Sequence, residues 1–138
     1  MIIKNYEILN IYSALNTIMT HKLPISVGWK FRKNINLIKE VFEEFAKSEQ
    51  NLVSQYSLKE NDNIAYKDDG QPVILPKYRE IFRKEHNELL NCENEINFIM
   101  IKLSDLLYTQ FDGEKTEREI EPTLLLTLDS MIIDDLEE

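Results

Sequence analysis

The chain has 138 residues, a formal net charge of −9 and 43% hydrophobic residues, a balance that is typical of one globular domain. No apolar run reaches the ~20 residues of a membrane-spanning helix, and the N-terminal residues lack the pattern of a signal peptide. The one cysteine, Cys92, cannot form an internal disulfide. These features predict a cytoplasmic, reducing location and exclude a membrane protein.

Apolar residues at helical spacing predict an antiparallel helical hairpin over residues 5–58. Asn5 is a candidate N-cap of the first helix, and Pro24 disfavours its continuation. The second helix, from Val27 to about Leu58, carries a nearly heptad apolar stripe that Glu49 interrupts. We interpret this helix as the spine of the domain. Its stripe consists of Phe31, Ile35, Ile38, Phe42, Phe45, Leu52 and Tyr56.

Residues 59–75 lose the helical periodicity. Turn residues at 61–63 and 68–70 separate short β-prone pieces. A small hairpin around Asp69-Gly70 and an irregular loop are both compatible with this pattern.

The second half of the chain predicts a third helix, a β element and a last helix. Pro76 suits the first turn of a helix over residues 77–91. Residues 95–102 are rich in β-branched and aromatic side chains, and residues 115–120 are a candidate partner strand, with a turn at Asp112-Gly113. The C-terminal helix covers residues 122–133. The predicted fold is one domain over residues 1–138, mainly α with a small β element (α+β).

Trp29, the only tryptophan, lies at the predicted turn between the first two helices. It either staples this turn or anchors a partner protein, for which tryptophan is favoured. With Trp29 and Phe31, the basic residues Lys30, Arg32 and Lys33 give this region a basic and aromatic pattern. Because Phe31 belongs to the apolar stripe, direct binding of nucleic acid is disfavoured.

Charge is segregated along the chain. Residues 1–35 hold five basic side chains and one acidic one, whereas residues 93–138 hold thirteen acidic and three basic ones. An acidic surface suits solubility, and it also complements a partner with a basic groove. We predict partner contacts by Trp29, Glu114, Glu117, Glu119, Glu121, Asp134 and Asp135.

The chain has no recognisable catalytic, cofactor or metal pattern. It lacks a glycine-rich phosphate loop and a nucleophile elbow. Cys92 and His86 are six residues apart, so their side chains point to different sides of a helix. His21 has no neighbouring ligand residues. Arg79 and Arg83 are interpreted as ion-pair partners of the glutamates on the long helix.

Several short motifs follow one another in a recurring order: residues 5–11 (NYEILNI), 22–25 (KLPI), 33–35 (KNI), 88–91 (ELLN) and 101–106 (IKLSDL). With a leucine-rich last helix and an acidic end, this order resembles an uncharacterised family of small acidic proteins from phages and prophages of low-GC Gram-positive bacteria. Residues 61–75 do not match it. The resemblance implies a phage setting and a non-enzymatic role, and it supplies no catalytic residues.

The leading hypothesis is a phage or mobile-element protein that acts by protein–protein contact. It would inhibit a host nucleic-acid-handling or defence effector, of the anti-CRISPR or another anti-defence type, through its acidic surface. An accessory of virion or tail assembly is the alternative, and a small enzyme or metal protein is the second alternative. We expect a monomer or a weak homodimer.

Overall fold

The computed structural model describes residues 1–111 and 114–136, without the side chains of residues 110, 111 and 114. It is 57% helical with 18% strand, which confirms a mainly α fold with small β elements. The helices of the described ranges are α1 (Asn5–Ile18), α2 (Ile25–Tyr56), α3 (Arg79–Leu90), α4 (Leu103–Leu107) and α5 (Pro122–Thr127).

All β structure in the described ranges consists of two-stranded pairs and isolated bridges. The strands are β1 (Ile2–Lys4), β2 (Lys59–Glu60), β3 (Asn63–Ile64), β4 (Glu93–Glu95), β5 (Ile101–Lys102), β6 (Tyr108–Phe111), β7 (Glu114–Glu117) and β8 (Ile132–Ile133). The pairs β1–β4, β2–β3 and β6–β7 are antiparallel, and β5–β8 is parallel.

The core lies between α1, the first half of α2 and the C-terminal segment. Ile8, Leu15 and Ile18 of α1 are buried together with Phe31 and Ile38 of α2. On the other side the core is closed by Ile101, Leu106, Leu128 and Met131, all of them fully buried. The first half of the long helix is therefore covered by other segments of its own chain.

The predicted N-cap at Asn5 is wrong. Lys4 is the N-cap residue, and its amide donates to the Glu7 carboxylate at 3.0 Å. Asn5 lies in the first turn, where its Nδ2 donates to the Leu89 carbonyl at 2.8 Å and its Oδ1 accepts from Asn94 at 2.8 Å. The pairing of β1 with β4 extends to the start of the helix and gives this buried amide distant partners.

The prediction of a single strand over 95–102 paired with 115–120 is also wrong. The chain instead pairs first with the N-terminus through β4 and then with the C-terminus through β5. Strand β7 pairs with its sequence neighbour β6, because a short connection costs less loop-closure entropy. The turn predicted at Asp112-Gly113 lies outside the described residues.

The last helix is shorter than the predicted 122–133. It ends at Thr127, and a 3₁₀ turn at Asp129–Met131 leads into β8. The β-branched residues Ile132 and Ile133 pair with β5, which requires an extended backbone. Leu128 and Met131 are nevertheless buried.

Residues 57–75 form a small β arm at the end of α2. Its strand pair, β2–β3, turns at Asn61-Asp62, whereas the predicted turn at Asp69-Gly70 is flanked by an isolated bridge between Tyr66 and Pro72. Asn61 and Asp62 both have positive φ angles, 51° and 66°, which suits the tight turn between β2 and β3. A second reversal places Gly70 at φ 85°, a conformation that glycine adopts without strain. The arm returns to the end of α2, where the Leu75 amide donates to the Tyr56 carbonyl at 3.0 Å.

Helix α3 follows a 3₁₀ turn at Pro76–Tyr78 and packs on the second half of α2. The predicted pairing of Arg79 and Arg83 with glutamates of α2 is wrong: within the described residues, neither arginine has a carboxylate within ion-pair distance. The residue of α3 that reaches across is His86, whose Nε2 lies 3.0 Å from the Glu49 carboxylate. Glu49 thus has a partner at the position where it interrupts the stripe.

Candidate functional site

Trp29 lies on the surface in the second turn of α2, with 54% of the residue exposed. The predicted role of Trp29 as the staple of the turn between α1 and α2 is therefore wrong. The buried side chain near the start of α2 is that of Val27, two residues earlier. The Lys33 ammonium lies 5.2 Å from the centre of the indole ring, a cation–π contact. Ile25, four residues before Trp29, is also exposed, so the two form an apolar pair on one helical face.

Arg118 ties the β6–β7 ribbon to the link between α1 and α2. Its Nε donates to the Lys22 carbonyl at 2.9 Å and its Nη1 to the Leu106 carbonyl at 2.8 Å. Nη2 donates to the Thr109 hydroxyl. Hydrogen bonds from a charged guanidinium are stronger than neutral ones, so this side chain fixes the position of its neighbours in sequence.

We call residues 117–121 the acidic segment. Arg118 and Ile120 point inward, and Ile120 is buried, whereas Glu117, Glu119 and Glu121 are exposed. This alternation is the one expected of extended chain. The Glu121 carboxylate lies 3.5 Å from Nε2 of His21, which follows α1. Three of the predicted carboxylates therefore occur on one anchored segment beside the α1–α2 link.

The other predicted acidic residues have different surroundings. Glu114 belongs to β7 and pairs with Phe111 through the backbone, and its side chain is outside the described set. Asp135 accepts hydrogen bonds from the Ser104 amide, at 2.9 Å, and from the Ser104 hydroxyl.

The bond from the Ser104 hydroxyl is the main reason why the pKa of Asp135 is lowered. Because Ser104 is in the first turn of α4, Asp135 satisfies an otherwise unpaired helical amide. Asp134 accepts from the Leu136 amide at 3.1 Å. These two aspartates follow β8 and are not part of the acidic segment.

Sequence reasoning missed the outer face of α1. Tyr6 and Leu9 are exposed there, although they are large and apolar, and Ile2 of the preceding strand β1 is exposed as well. Tyr6 stands between two concave regions, one against α5 and one against α2 and α3. The one signal in the sequence is that Tyr6 and Leu9 fall outside the core stripe of α1, three residues apart.

Chemically reactive side chains do not converge in the described ranges. No group of three or more histidine, cysteine or acidic residues there is placed to hold a metal ion. Cys92 is exposed and its Sγ donates to the Glu88 carbonyl at 3.3 Å. His86 stacks on Phe82, with ring centres 5.6 Å apart. Of the helices described, none has both the length and the apolar character needed to cross a membrane.

Comparisons with protein-family models, curated proteins and solved structures found no match for this chain. The resemblance to a phage protein family therefore stays a prediction.

Proposed function

We propose that this protein is non-enzymatic and acts by binding another protein through the acidic segment, with Trp29 as an apolar anchor near the same end of the molecule. The observation that carries the proposal is the Arg118 anchor. It holds Glu117 and Glu119 outward on fixed backbone. A surface fixed before binding loses less conformational entropy when a partner docks.

The partner that suits such a surface carries a basic groove. Carboxylates on alternate residues offer a row of negative charge, which attracts and orients a positive surface. Proteins that handle nucleic acids have such grooves. We therefore infer an inhibitor of a host nucleic-acid-handling or defence effector, of the anti-CRISPR or another anti-defence type, made by a phage or mobile element and acting in the bacterial cytoplasm.

Capture of partners from a Gram-positive host lysate tests this proposal. We expect the tagged protein to retain a nucleic-acid-binding protein at low salt, to release it at about 0.5 M salt because charge attraction is screened, and to lose it when DNA or RNA is added. The double variant E117K/E119K should retain at least tenfold less.

The matched control is E43K/E44K, which makes the same charge change on the exposed face of α2. It should retain the partner nearly as well as the unmodified protein. Equal losses in both variants, or retention that is insensitive to salt and to nucleic acid, would overturn the proposal.

The virion-assembly alternative is not favoured by a specific observation. It would use the apolar stripe of α2 as an oligomer interface, but Phe31 and Ile38 of this stripe are fully buried within the chain.

A further inference from the structure

Two adjoining concave regions flank Tyr6. We call the larger one, of about 610 Å³, the α1 groove; it runs between β1, α1 and α5. We call the smaller one, of about 320 Å³, the Leu90 pocket; it lies between α1, α2 and α3. Both are large enough for the side chains of a bound segment, since small-ligand sites begin at about 300 Å³.

The walls of both regions offer apolar contact. Ile2 and Leu126 both line the α1 groove, and Leu126 is 75% exposed. Leu9, Phe45 and Leu90 line the Leu90 pocket. Large apolar side chains thus line both regions, beside polar ones such as Asn10 and Thr17 in the α1 groove. Apolar side chains grouped at a surface mark interaction sites on globular proteins.

The charged side chains that line the two regions are all carboxylates. The other ionisable groups there are Tyr6 and the N-terminal amine. Glu7 and Asp129 line the α1 groove and Glu49 lines the Leu90 pocket. No lysine, arginine or histidine side chain contributes to either lining among the described residues. Apolar side chains beside carboxylates complement a segment that alternates apolar and basic side chains.

The occupant is further limited by the shape of the surface. Tyr6 divides it into two separate recesses, so one bound segment has to place apolar side chains on both sides of this ring. An amphipathic helix does so with side chains three or four residues apart, and recognition of such a helix by a groove is a recurring mode.

We propose that the α1 groove and the Leu90 pocket together bind a cationic amphipathic helical segment of a partner protein. Its apolar side chains enter the two recesses on either side of Tyr6, and its lysine or arginine side chains pair with the carboxylates of the α1 groove, Glu7 and Asp129. This inference rests on the proposed protein-binding role and adds a contact area that is distinct from the acidic segment.

The test uses the full-length protein and two synthetic 14-residue helical probes, one built from leucine and lysine and the other from leucine and glutamate. Fluorescence anisotropy measures their affinity. We expect the lysine probe to bind at micromolar concentration and the glutamate probe to bind at least tenfold more weakly. The double variant L9S/L126S should bind the lysine probe at least tenfold more weakly than the unmodified protein.

Leu9 and Leu126 are exposed, so this variant keeps the fold, as its unfolding midpoint in urea will verify. The matched control is L37S, which alters another exposed leucine, on α2, and should leave the affinity unchanged. Because the lysine probe could also bind any acidic surface, E117K/E119K is measured too. It should bind the probe within twofold of the unmodified protein, which separates this inference from the proposed function.

Amide chemical shifts in the presence of the lysine probe locate the contact. Changes centred on Tyr6, Leu9, Leu90 and Leu126 support the proposal. It is overturned if the changes centre on residues 117–121, if the glutamate probe binds equally well, or if L9S/L126S binds unchanged. It is also overturned if sedimentation shows a dimer that L9S/L126S dissociates, because a second copy would then be the occupant.

Discussion

The two halves of α2 share one apolar stripe but have different depths of burial. In the first half, residues 25–40, Val27, Phe31, Asn34 and Ile38 are buried; in the second half, residues 41–56, Tyr56 alone is buried. Helix α3, which packs on the second half, has no buried residue. A periodic pattern thus tells which face of a helix turns inward, whereas the number of neighbouring segments decides how deeply it is buried.

The first half is enclosed on several sides. Helix α1 covers it, and the backbone at Ile99 and the side chain of Met131 both contact Asn34. The second half is covered more thinly, by α3 and the β arm. It keeps Phe45 partly exposed at the edge of the Leu90 pocket. We expect the two halves to contribute very differently to stability.

The largest expected effect comes from shortening the stripe in each half. Phe31→Ala should lower the free energy of unfolding by about 3–5 kcal/mol, because it removes a fully buried ring and leaves a cavity. Phe45→Ala should cost less than half as much, since its ring is partly exposed and water can fill the space. Urea unfolding followed by circular dichroism measures both values. Similar losses at the two sites would show that the halves are equally packed.

The next effect concerns the polar contact within the first half. The Asn34 side chain donates to the Ile99 carbonyl at 3.0 Å and accepts from the Ile99 amide at 2.7 Å. Asn34→Ala should lower the free energy of unfolding by about 2–3 kcal/mol, because the amide and the carbonyl of Ile99 both lose their hydrogen-bond partner beside the core.

Asn36→Ala, at an exposed position two residues away, is the control for Asn34→Ala and should change stability by about 0.5 kcal/mol or less. A loss at Asn34 no greater than this would mean that water replaces the side chain and that the contact is not important for the fold.

The smallest effect is a pH dependence of the second half. Burial, and then the hydrogen bond with Glu85, raise the pKa of the Tyr56 hydroxyl above its ordinary value of 10.0. The folded state thus favours the protonated form. The stabilisation is complete below the pKa of the unfolded chain, about 10, and is lost as the pH rises through the raised pKa.

Unfolding in urea at pH 9 and pH 11 should therefore show a decrease in stability in the unmodified protein. Tyr56→Phe should show a smaller decrease, because it lacks the hydroxyl that ionises. The variant keeps the ring contacts with Tyr78 and Phe82, whose centres lie 5.3 and 6.4 Å from that of residue 56. The same decrease in both proteins would assign the alkaline dependence to other groups.

The sequence predicted the three long helices because each carries its own periodic signal. The periodicity predicts a helical hairpin over residues 5–58 and a helix over residues 77–91, and α1, α2 and α3 occur there within a few residues. The strands of two to four residues carry no such signal. Their partners were misassigned, because a short apolar run is compatible with several registers and only a distant segment selects one.

The candidate sites likewise have features that the sequence predicts and features that depend on distant segments. Trp29 and the carboxylates of the acidic segment are recognisable as residue types and as a cluster of charge. Their surroundings were not predictable, because Arg118 reaches Lys22 across 96 residues of sequence. The α1 groove and the Leu90 pocket were missed for a related reason: their walls come from three or four elements each.

The sequence by itself determined the helical class, the stripe of α2 and the segregation of charge, since these depend on the order of neighbouring residues. Tertiary structure decided which half of α2 became core, where the short strands paired and which apolar side chains stayed outside. The physical reason is that burial and strand pairing are properties of contacts between distant segments. Leu9 and Ile8 are adjacent aliphatic residues, yet one is 59% exposed and the other fully buried.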